Sequence, residues 1–399
     1  MNMTRWIGRL AGVAALLVAG CGGGGGGIGG TGTQPGVMRV SLTDAPACGY
    51  DEVNVTVQKV RVHRSASANP DDPTGWSEIV LNPARRIDLL SLTNGTLDEL
   101  GQVELPAGTY ENFRLVLAPN TGGTPPANSV VLSSNQQEIA LTTPSGQQSG
   151  LKAGLGGVID VPPGQVLDVV LDFDACKSIV KCGNSGQYNL KQVITALPLL
   201  VDAGLRVVGY VDPALANAAT AVSVQASGVP LKATIPDADG RFVLRPLPVG
   251  SYELVLTAPG RATTVMTGVP VVSGVPTQVS TAAFPLVPAA AASAPVAVTG
   301  SVQPASATVS VLQTLTGGPT VEIGYLPVDA DTGAFATALL PDAPWRAAYA
   351  GTPSAPLVFA PDAAVAGRYT LRASTATASQ DRAVDVTTPP VPPVTFLLP

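Results

Sequence analysis

The stretch Val53-Asn54-Val55-Thr56-Val57-Gln58-Lys59-Val60-Arg61-Val62 indicates how this chain folds. Valine occupies every second position up to Val57, and a β-strand places alternate side chains on opposite faces of a sheet. The alternation then resumes at Val60, one residue out of phase. An extra residue at Gln58-Lys59 restores the apolar face, so the sequence predicts one long strand that carries a β-bulge.

The composition of the 399 residues agrees with a turn-rich β-structure. Hydrophobic residues make up 45% of the chain and aromatic residues only 5%, and there are 43 Gly and 37 Pro. Gly and Pro are abundant, but the apolar fraction is that of an ordinary globular protein. This combination excludes collagen-like and fully disordered chains. The length is enough for two to four domains with a core each.

The N-terminal segment is typical of an exported protein. Two arginines precede the apolar run Leu10–Ala19, which is too short to span a bilayer but matches the hydrophobic part of a signal peptide. The run ends in Leu17-Val18-Ala19-Gly20-Cys21, which resembles the bacterial lipobox. That resemblance implies a signal peptide over residues 1–20 and lipidation of Cys21.

Residues 21–36 are predicted to form a flexible tether, because they are mostly Gly and such chains behave as coils. Acyl chains on Cys21 would hold the protein on a membrane. Gly22 stands where lipoproteins retained in the inner membrane often carry Asp. The resemblance therefore implies the outer membrane of the cell envelope, with the protein facing either the periplasm or the cell surface.

The charge pattern argues against a nucleic-acid partner. Lys and Arg total 22 against 28 Asp and Glu, a net charge of −6, and the cations are not clustered. We expect a membrane contact through the N-terminal lipid, and an envelope protein or a polysaccharide as partner.

Residues 37–202 are predicted to form short strands broken by turns. Only Arg86–Leu100 is expected to hold a helical turn or two. Besides the opening stretch, we expect strands at Val37–Leu42, Phe113–Leu117, Val130–Leu132, Glu138–Leu141 and Val166–Phe173.

Four motifs in this region are similar to those of a known family: Ser41–Pro46 (SLTDAP), Asp88–Gly95 (DLLSLTNG), Leu105–Tyr110 (LPAGTY) and Asp172–Cys176 (DFDAC). Together they resemble the bacterial lipoprotein family called domain of unknown function 4382. The resemblance implies a β-sandwich envelope protein and supplies no activity.

A second unit, residues 203–287, resembles the carboxypeptidase regulatory-like domain, a small transthyretin-like β-sandwich. The motifs are Val207–Val211, the turn Asp237–Phe242 and Leu247–Leu254. Val298–Val302 lies 91 residues after the first motif and Asp329–Phe335 lies 92 after the second, which predicts a duplicated, divergent unit.

The predicted architecture is therefore all-β. Three consecutive β-sandwich units, of immunoglobulin or transthyretin type, follow a flexible lipidated tether. The units are predicted at residues 37–202, 203–287 and 298–399, with an Ala/Pro linker at 288–297.

Three cysteines remain after lipidation, and two of them should pair in an oxidising compartment. Closing the loop from Cys48 to Cys176 would contribute about 5 kcal/mol, against about 2 kcal/mol for Cys176 to Cys182. We favour Cys48–Cys176 and keep Cys176–Cys182 as the alternative.

The strand from Asp168 to Asp174 is the most suggestive candidate site. Alternation places Asp168, Asp172 and Asp174 on one face. These carboxylates either face basic side chains or bind a cation, for which Ca²⁺ is the expected cofactor. General acid–base work by Asp172 and Asp174 is a further alternative. His63, the only histidine, is interpreted as a strand residue without a catalytic role, since no Gly-x-Ser-x-Gly motif accompanies it.

The preferred interpretation is a membrane-anchored envelope lipoprotein that acts as a non-enzymatic interaction or binding module. One alternative is a carbohydrate-binding protein, for which Trp76 and Trp345 are the available stacking residues. The other is a metal-dependent hydrolase that uses Asp172 and Asp174.

Overall fold

β-Strands make up nearly all of the regular structure in residues 34–44, 50–144, 146–199, 204–217 and 219–399, which the computed structural model describes. The predicted signal peptide, the predicted lipidation site Cys21 and the predicted disulfide partner Cys48 lie outside these residues. Within the described residues, no helix is long and apolar enough to cross a membrane. The all-β fold class is confirmed.

The first unit contains fourteen strands and two short helical segments among the described residues. Its bounds are β1 Gly36–Asp44, β2 Tyr50–His63, β3 Ser77–Asp88, a 3-10 turn Leu89–Leu92, β4 Asp98–Leu105, β5 Gly108–Thr109, β6 Asn112–Leu117, β7 Ser129–Leu132, β8 Glu138–Thr142, β9 Leu151–Leu155, β10 Asp160–Val161, β11 Val166–Phe173, α1 Ala175–Ser178, β12 Ile179–Cys182, β13 Gln187–Leu190 and β14 Ile194–Leu199.

The long strand β2 has the predicted bulge. Its register shifts between Val57 and Lys59 against both neighbours, β3 and β6. The five valines of the opening stretch are all buried in one core as a result.

The sheet of the first unit rolls around that core. Strands follow the order β3-β2-β6-β9-β14-β11-β1-β4. The two ends of this run meet through side chains, because Arg85 Nη2 donates to Asp98 Oδ1 at 2.6 Å and to the Glu99 carbonyl at 3.0 Å. The first half of β2 also pairs with β7, which continues the sheet through β8, β13 and β12.

The expectation that only Arg86–Leu100 holds a helical turn is wrong. The 3-10 turn Leu89–Leu92 lies in that region, but α1 forms at Ala175–Ser178 as well. The cause is an N-cap, since Asp174 Oδ1 accepts the Lys177 N–H at 3.0 Å.

The second and third units repeat one arrangement. The second comprises β15 Val207–Tyr210, β16 Ala221–Ala226, β17 Val229–Thr234, β18 Arg241–Leu244, β19 Gly250–Thr257, β20 Thr264–Val271 and β21 Thr277–Gln278, with a 3-10 turn at Pro213–Leu215. The third comprises β22 Val296–Gln303, β23 Thr308–Thr314, β24 Thr320–Leu326, β25 Ala334–Leu339, β26 Trp345–Ala348, β27 Ala360–Pro361, β28 Arg368–Ser374, β29 Ser379–Asp385 and β30 Val394–Leu397, with a 3-10 turn at Ala363–Val365.

Each of these units has two sheets with the same strand order. The smaller sheets run β18-β15-β21 and β25-β22-β30, and the larger ones contain β17-β16-β19-β20 and β24-β23-β28-β29. In both smaller sheets the central strand pairs antiparallel on one side and parallel on the other. This is the relation expected of a duplicated unit, and each copy has its own core.

A segment of the third unit crosses to the second. Strand β26 pairs parallel with β20, from Thr264 opposite Trp345 to Thr267 opposite Ala348, and β27 adds to β26. Three partly buried side chains of the same segment pack against the second core: Tyr349, Leu357 and Phe359. The sheet of the second unit is thereby completed by residues of the third.

The alternative disulfide, Cys176–Cys182, is not formed, because Cys182 is a free and buried thiol. Cys176 lies in the helical turn α1, whereas Cys182 ends the extended strand β12 that leads away from this turn. The pairing of Cys176 with Cys48 stays a prediction, since Cys48 lies outside the described residues.

One glycine in each repeat fixes the approach of two strands. Gly240 has φ +78°, and a Cβ there would lie 2.0 Å from the Val211 carbonyl oxygen. Gly333 has φ +70°, and a Cβ there would lie 2.1 Å from the Val302 carbonyl oxygen. At both positions a side chain would force two backbone segments apart.

We expect Gly240→Ala to lower the free energy of unfolding by about 3 kcal/mol or more, because it combines the left-handed conformation with a backbone clash. Gly260→Ala is the matched control, since Gly260 has φ +66° but open space around it, and it should cost about 1 to 2 kcal/mol. Urea unfolding of both variants measures the difference. Equal losses would show that the close approach to Val211 contributes nothing.

Candidate functional site

A cavity of about 290 Å³ lies where the three units meet. We call it the junction cavity. Its wall from the first unit includes Asp172, Asp174 and Lys177; Lys232 comes from the second unit, and Glu322 and Tyr325 come from the third.

The alternation of β11 supplies the carboxylates of the first unit. Val169, Leu171 and Phe173 are buried in the core, as predicted, so the even-numbered residues lie on the opposite face. Strand β11 is held between β1, which is parallel to it, and β14, which is antiparallel. Asp172 therefore projects from a strand that is hydrogen-bonded on both sides, and Asp174 follows directly after that strand as the N-cap of α1.

Asp168 is engaged outside the junction cavity. Arg39 lies directly opposite it on β1. Its Nε is 2.5 Å from Asp168 Oδ1 and its Nη2 is 2.8 Å from Oδ2. This two-pronged pair is the geometry that guanidinium and carboxylate groups prefer.

Asp172 forms a buried ion pair with Lys232. The Lys232 side chain is only 1% exposed and that of Asp172 13%. Burial raises the pKa of Asp172, and the adjacent Lys232 ammonium opposes that rise. A lysine sealed at this depth needs such a partner, so the pair joins the first unit to the second.

Lys177 lies between two carboxylates from different units. Its Nζ is 3.2 Å from Asp174 Oδ2 and 3.7 Å from Glu322 Oε1. It also lies 5.9 Å from the centroid of the Tyr325 ring. Burial alone would lower the pKa of Lys177, but the two carboxylates outweigh burial and raise it. Burial raises the pKa of Glu322, and Lys177 lowers it in part.

Two side-chain amides brace the units beside these charges. Gln225 Nε2 donates to the Glu322 carbonyl at 2.7 Å and its Oε1 accepts the Glu322 N–H at 2.8 Å, so it pairs with β24 as a strand would. The Asn94 side chain forms a similar pair of hydrogen bonds with the backbone of β18. Its Oδ1 accepts the Val243 N–H at 2.6 Å, and its Nδ2 donates to the Arg241 carbonyl at 3.1 Å.

The predicted cation site at Asp168, Asp172 and Asp174 is not supported by this geometry. Each carboxylate forms an ion pair with a different basic side chain, Arg39, Lys232 or Lys177. In the part of the chain that the structure describes, no group of three or more His, Cys, Asp or Glu side chains is arranged to hold a metal ion. The alternative in which these carboxylates face basic side chains is the one observed.

His63 and the two tryptophans are also in packed or paired positions. His63 Nδ1 accepts the Ser65 N–H at 2.8 Å, and its ring lies 5.2 Å from that of Trp76. The Arg61 guanidinium covers the Trp76 ring at 4.4 Å. Trp345 begins β26 and is partly buried. The Trp76 ring is therefore covered by neighbouring side chains, whereas Trp345 is partly exposed.

Comparison with known families supports the two resemblances. Residues 35–192 match the family model described as Domain of unknown function (DUF4382), and residues 206–284 match the Carboxypeptidase regulatory-like domain. Both resemblances are confirmed. The order of the two matches is the predicted one, and their descriptions are compatible with a non-enzymatic module. No match was found among curated proteins.

Solved structures share only limited similarity with the chain. Two interface variants of a type II cohesin–X-dockerin complex from Acetivibrio cellulolyticus are 21% and 24% identical over 22% and 21% of this chain, with TM-scores of 0.19 and 0.18. The chain spans 59% and 56% of their lengths. A variant of the major pilin subunit of Bacillus cereus is 11% identical over 92% of this chain and 99% of that one, with a TM-score of 0.10.

We expect Lys232→Met to lower the free energy of unfolding by about 3 to 5 kcal/mol, because it leaves the buried Asp172 carboxylate without its partner. Asp172→Leu should have a similar effect. The double variant should lose much less than the sum of the two, since it removes both buried charges. Urea unfolding of the four proteins provides the cycle.

The control for this cycle is the exposed pair between Arg372 and Asp381, whose side chains are 39% and 47% exposed. Arg372→Met should cost no more than about 1 kcal/mol. Strictly additive losses at Asp172 and Lys232 would contradict the coupling of the two units through this pair.

Stability should also fall above pH 10 through Tyr325. Burial, followed by the Asp174 carboxylate, raises the pKa of Tyr325 to about 12. The folded state therefore keeps a proton that the unfolded state loses near pH 10, so this contribution is complete below pH 10 and is lost as the pH rises through 12.

In Tyr325→Phe the free energy of unfolding should fall less between pH 8 and pH 11, by on the order of 1 kcal/mol. Urea unfolding at the two pH values measures the change. An identical fall in both proteins would rule out a buried, titrating Tyr325.

Proposed function

We propose that this protein is a lipid-anchored cell-envelope module that binds a ligand or partner and has no catalytic activity of its own. The observation that carries the proposal is the run Leu17–Cys21 directly before a Gly-rich stretch. The lipid on Cys21 would hold the chain at the outer membrane, and the tether would separate the folded body from the bilayer.

The described body supports a binding role. Its three units are braced against each other by the pair of Asp172 with Lys232, by the clamp of Gln225 on Glu322 and by the crossing strand β26. A body with fixed unit positions keeps the wall of the junction cavity preformed, and preformed sites lower the ordering cost of binding.

The pairing of the carboxylates favours binding over hydrolysis. Asp172 and Asp174 both carry basic partners, Lys232 and Lys177. A metal-dependent hydrolase would use these carboxylates as metal ligands or as a general acid and base. Here the neighbouring lysines stabilise both carboxylates in ion pairs instead.

The anchoring is tested by fractionating bacteria that produce the protein with Cys21→Ser. The unaltered protein should be recovered with membranes, and the variant should be recovered mainly in the soluble fraction because it carries no acyl chains. Cys182→Ser is the matched control, since it removes a buried free thiol and should leave the protein on the membrane. Membrane recovery of Cys21→Ser would refute the anchor.

A further inference from the structure

The junction cavity contains more negative than positive charge. The pair of Asp172 with Lys232 is sealed and neutral, because the Lys232 side chain is 1% exposed. The rest of the charged wall consists of Asp174, Glu322 and one ammonium, that of Lys177. Two carboxylates therefore share one cation, in a place where burial makes an excess charge costly.

Glu322 is the less completely neutralised of the two. The Lys177 ammonium is closer to Asp174, at 3.2 Å, than to Glu322, at 3.7 Å. The Glu322 side chain is nevertheless only 13% exposed. Burial raises its pKa, while Lys177 and the Ser310 hydroxyl lower it in part. A second positive charge near this carboxylate would remove the deficit.

Lys177 itself shows which chemistry this corner of the cavity accepts. Its primary ammonium is bounded by two carboxylates and by the ring of Tyr325, 5.9 Å away. Carboxylates give charge-assisted hydrogen bonds to an ammonium, and an aromatic ring attracts it through the charge distribution of its face. The Lys177 side chain is 25% exposed, so it lies at the accessible part of the wall.

The cavity has room beside Lys177 for a ligand. Its volume is about 290 Å³, and the wall adds apolar surface from Leu231 and Ile323 to the charged groups. Apolar surface with a few placed polar groups is typical of sites for small molecules.

We propose that the junction cavity binds a small organic cation through a primary ammonium group, with Glu322 and Asp174 as its carboxylate partners and Tyr325 at its side. This inference deepens the proposed binding function and rests on it. Diamines and amino sugars both carry such a group, so the experiment separates them.

Calorimetric titration of the purified full chain tests the proposal. The probes are 1,5-diaminopentane and glucosamine, with N-acetylglucosamine as the neutral analogue of the sugar. At least one of the two amines should bind saturably at pH 7.5, and the acetylated sugar should not. Binding should weaken at pH 4.5, because a protonated Glu322 no longer attracts the ammonium. Absence of saturable binding by both amines would overturn the proposal.

Glu322→Gln should weaken amine binding about tenfold or more, since one charge-assisted contact is lost. Glu138→Gln is the matched control: Glu138 also belongs to an ion pair, with Arg86, but it lies on β8 and not in the cavity wall. It should change the affinity less than about twofold. Equal weakening by the two variants would show that the amines bind by overall charge alone and would refute the site.

Lys177→Ala gives a result that misfolding does not imitate. Removing the internal ammonium leaves both carboxylates free for the ligand, so amine binding should tighten severalfold. Unchanged or weaker binding in a variant with normal thermal unfolding would refute the assignment. A titration with calcium chloride distinguishes an amine site from a metal site. Calcium binding without amine binding would refute the proposal and identify a metal site.

The two proposals fail separately. The titrations use purified chain and do not depend on the lipid, whereas the fate of Cys21→Ser in fractionated cells does not depend on the cavity. Amine binding with a soluble location would leave a binding protein without an anchor. An anchored chain that binds no amine would keep the anchor and remove this ligand class.

Discussion

The docking of the second unit on the first depends on one buried ion pair, that of Asp172 with Lys232. A lysine ammonium that is 1% exposed is tolerated only beside a counter-charge, so the second unit docks where β11 presents that carboxylate. Other polar contacts near this ion pair join the third unit to the first two. Lys177 extends from the first unit to Glu322 of the third, and Gln225 of the second unit clamps the backbone of the same residue. The charges place the first unit against the other two, and a small apolar cluster of Val255, Val265, Leu315 and Val321 joins the second unit to the third. The three larger apolar cores contribute most of the stability.

Local pattern predicted much of the fold. The alternation of apolar residues along β2 and β11 correctly predicted which side chains face the core. The change of phase at Gln58-Lys59 predicted the bulge, because without an extra residue the later valines of β2 would point to the opposite face. The duplication of the second unit was also visible in the sequence, because Gly240 and Gly333 occupy matching turns. At both positions the backbone needs a positive φ and leaves no room for a side chain. The helical turn at Ala175–Ser178 was missed, although Asp174 is a good N-cap, since so short a turn carries no apolar period.

The site was only half predictable for a different reason. The stripe of carboxylates follows from the alternation along β11, but two of its partners come from far along the chain: Arg39 is 129 residues from Asp168, and Lys232 is 60 residues from Asp172. No periodicity links such residues, so the identity of these basic partners was not foreseeable. Gln225 and Asn94 gave no signal at all, because a glutamine or asparagine in a sequence does not reveal that it will pair with the edge of a strand.

The strand that crosses from the third unit to the second has a consequence for the order of synthesis. Strand β20 is complete once residue 271 has been made, yet the strand that covers its edge begins at Trp345. During translation or export, about 75 further residues must emerge before that edge is closed. For this interval the second unit exposes unpaired backbone groups and the surface later covered by Tyr349, Leu357 and Phe359. In the complete fold the edge of β20 is covered by β26, but in the growing chain it stays unpaired until β26 has been made. A chain cut before residue 345 would leave that edge unpaired.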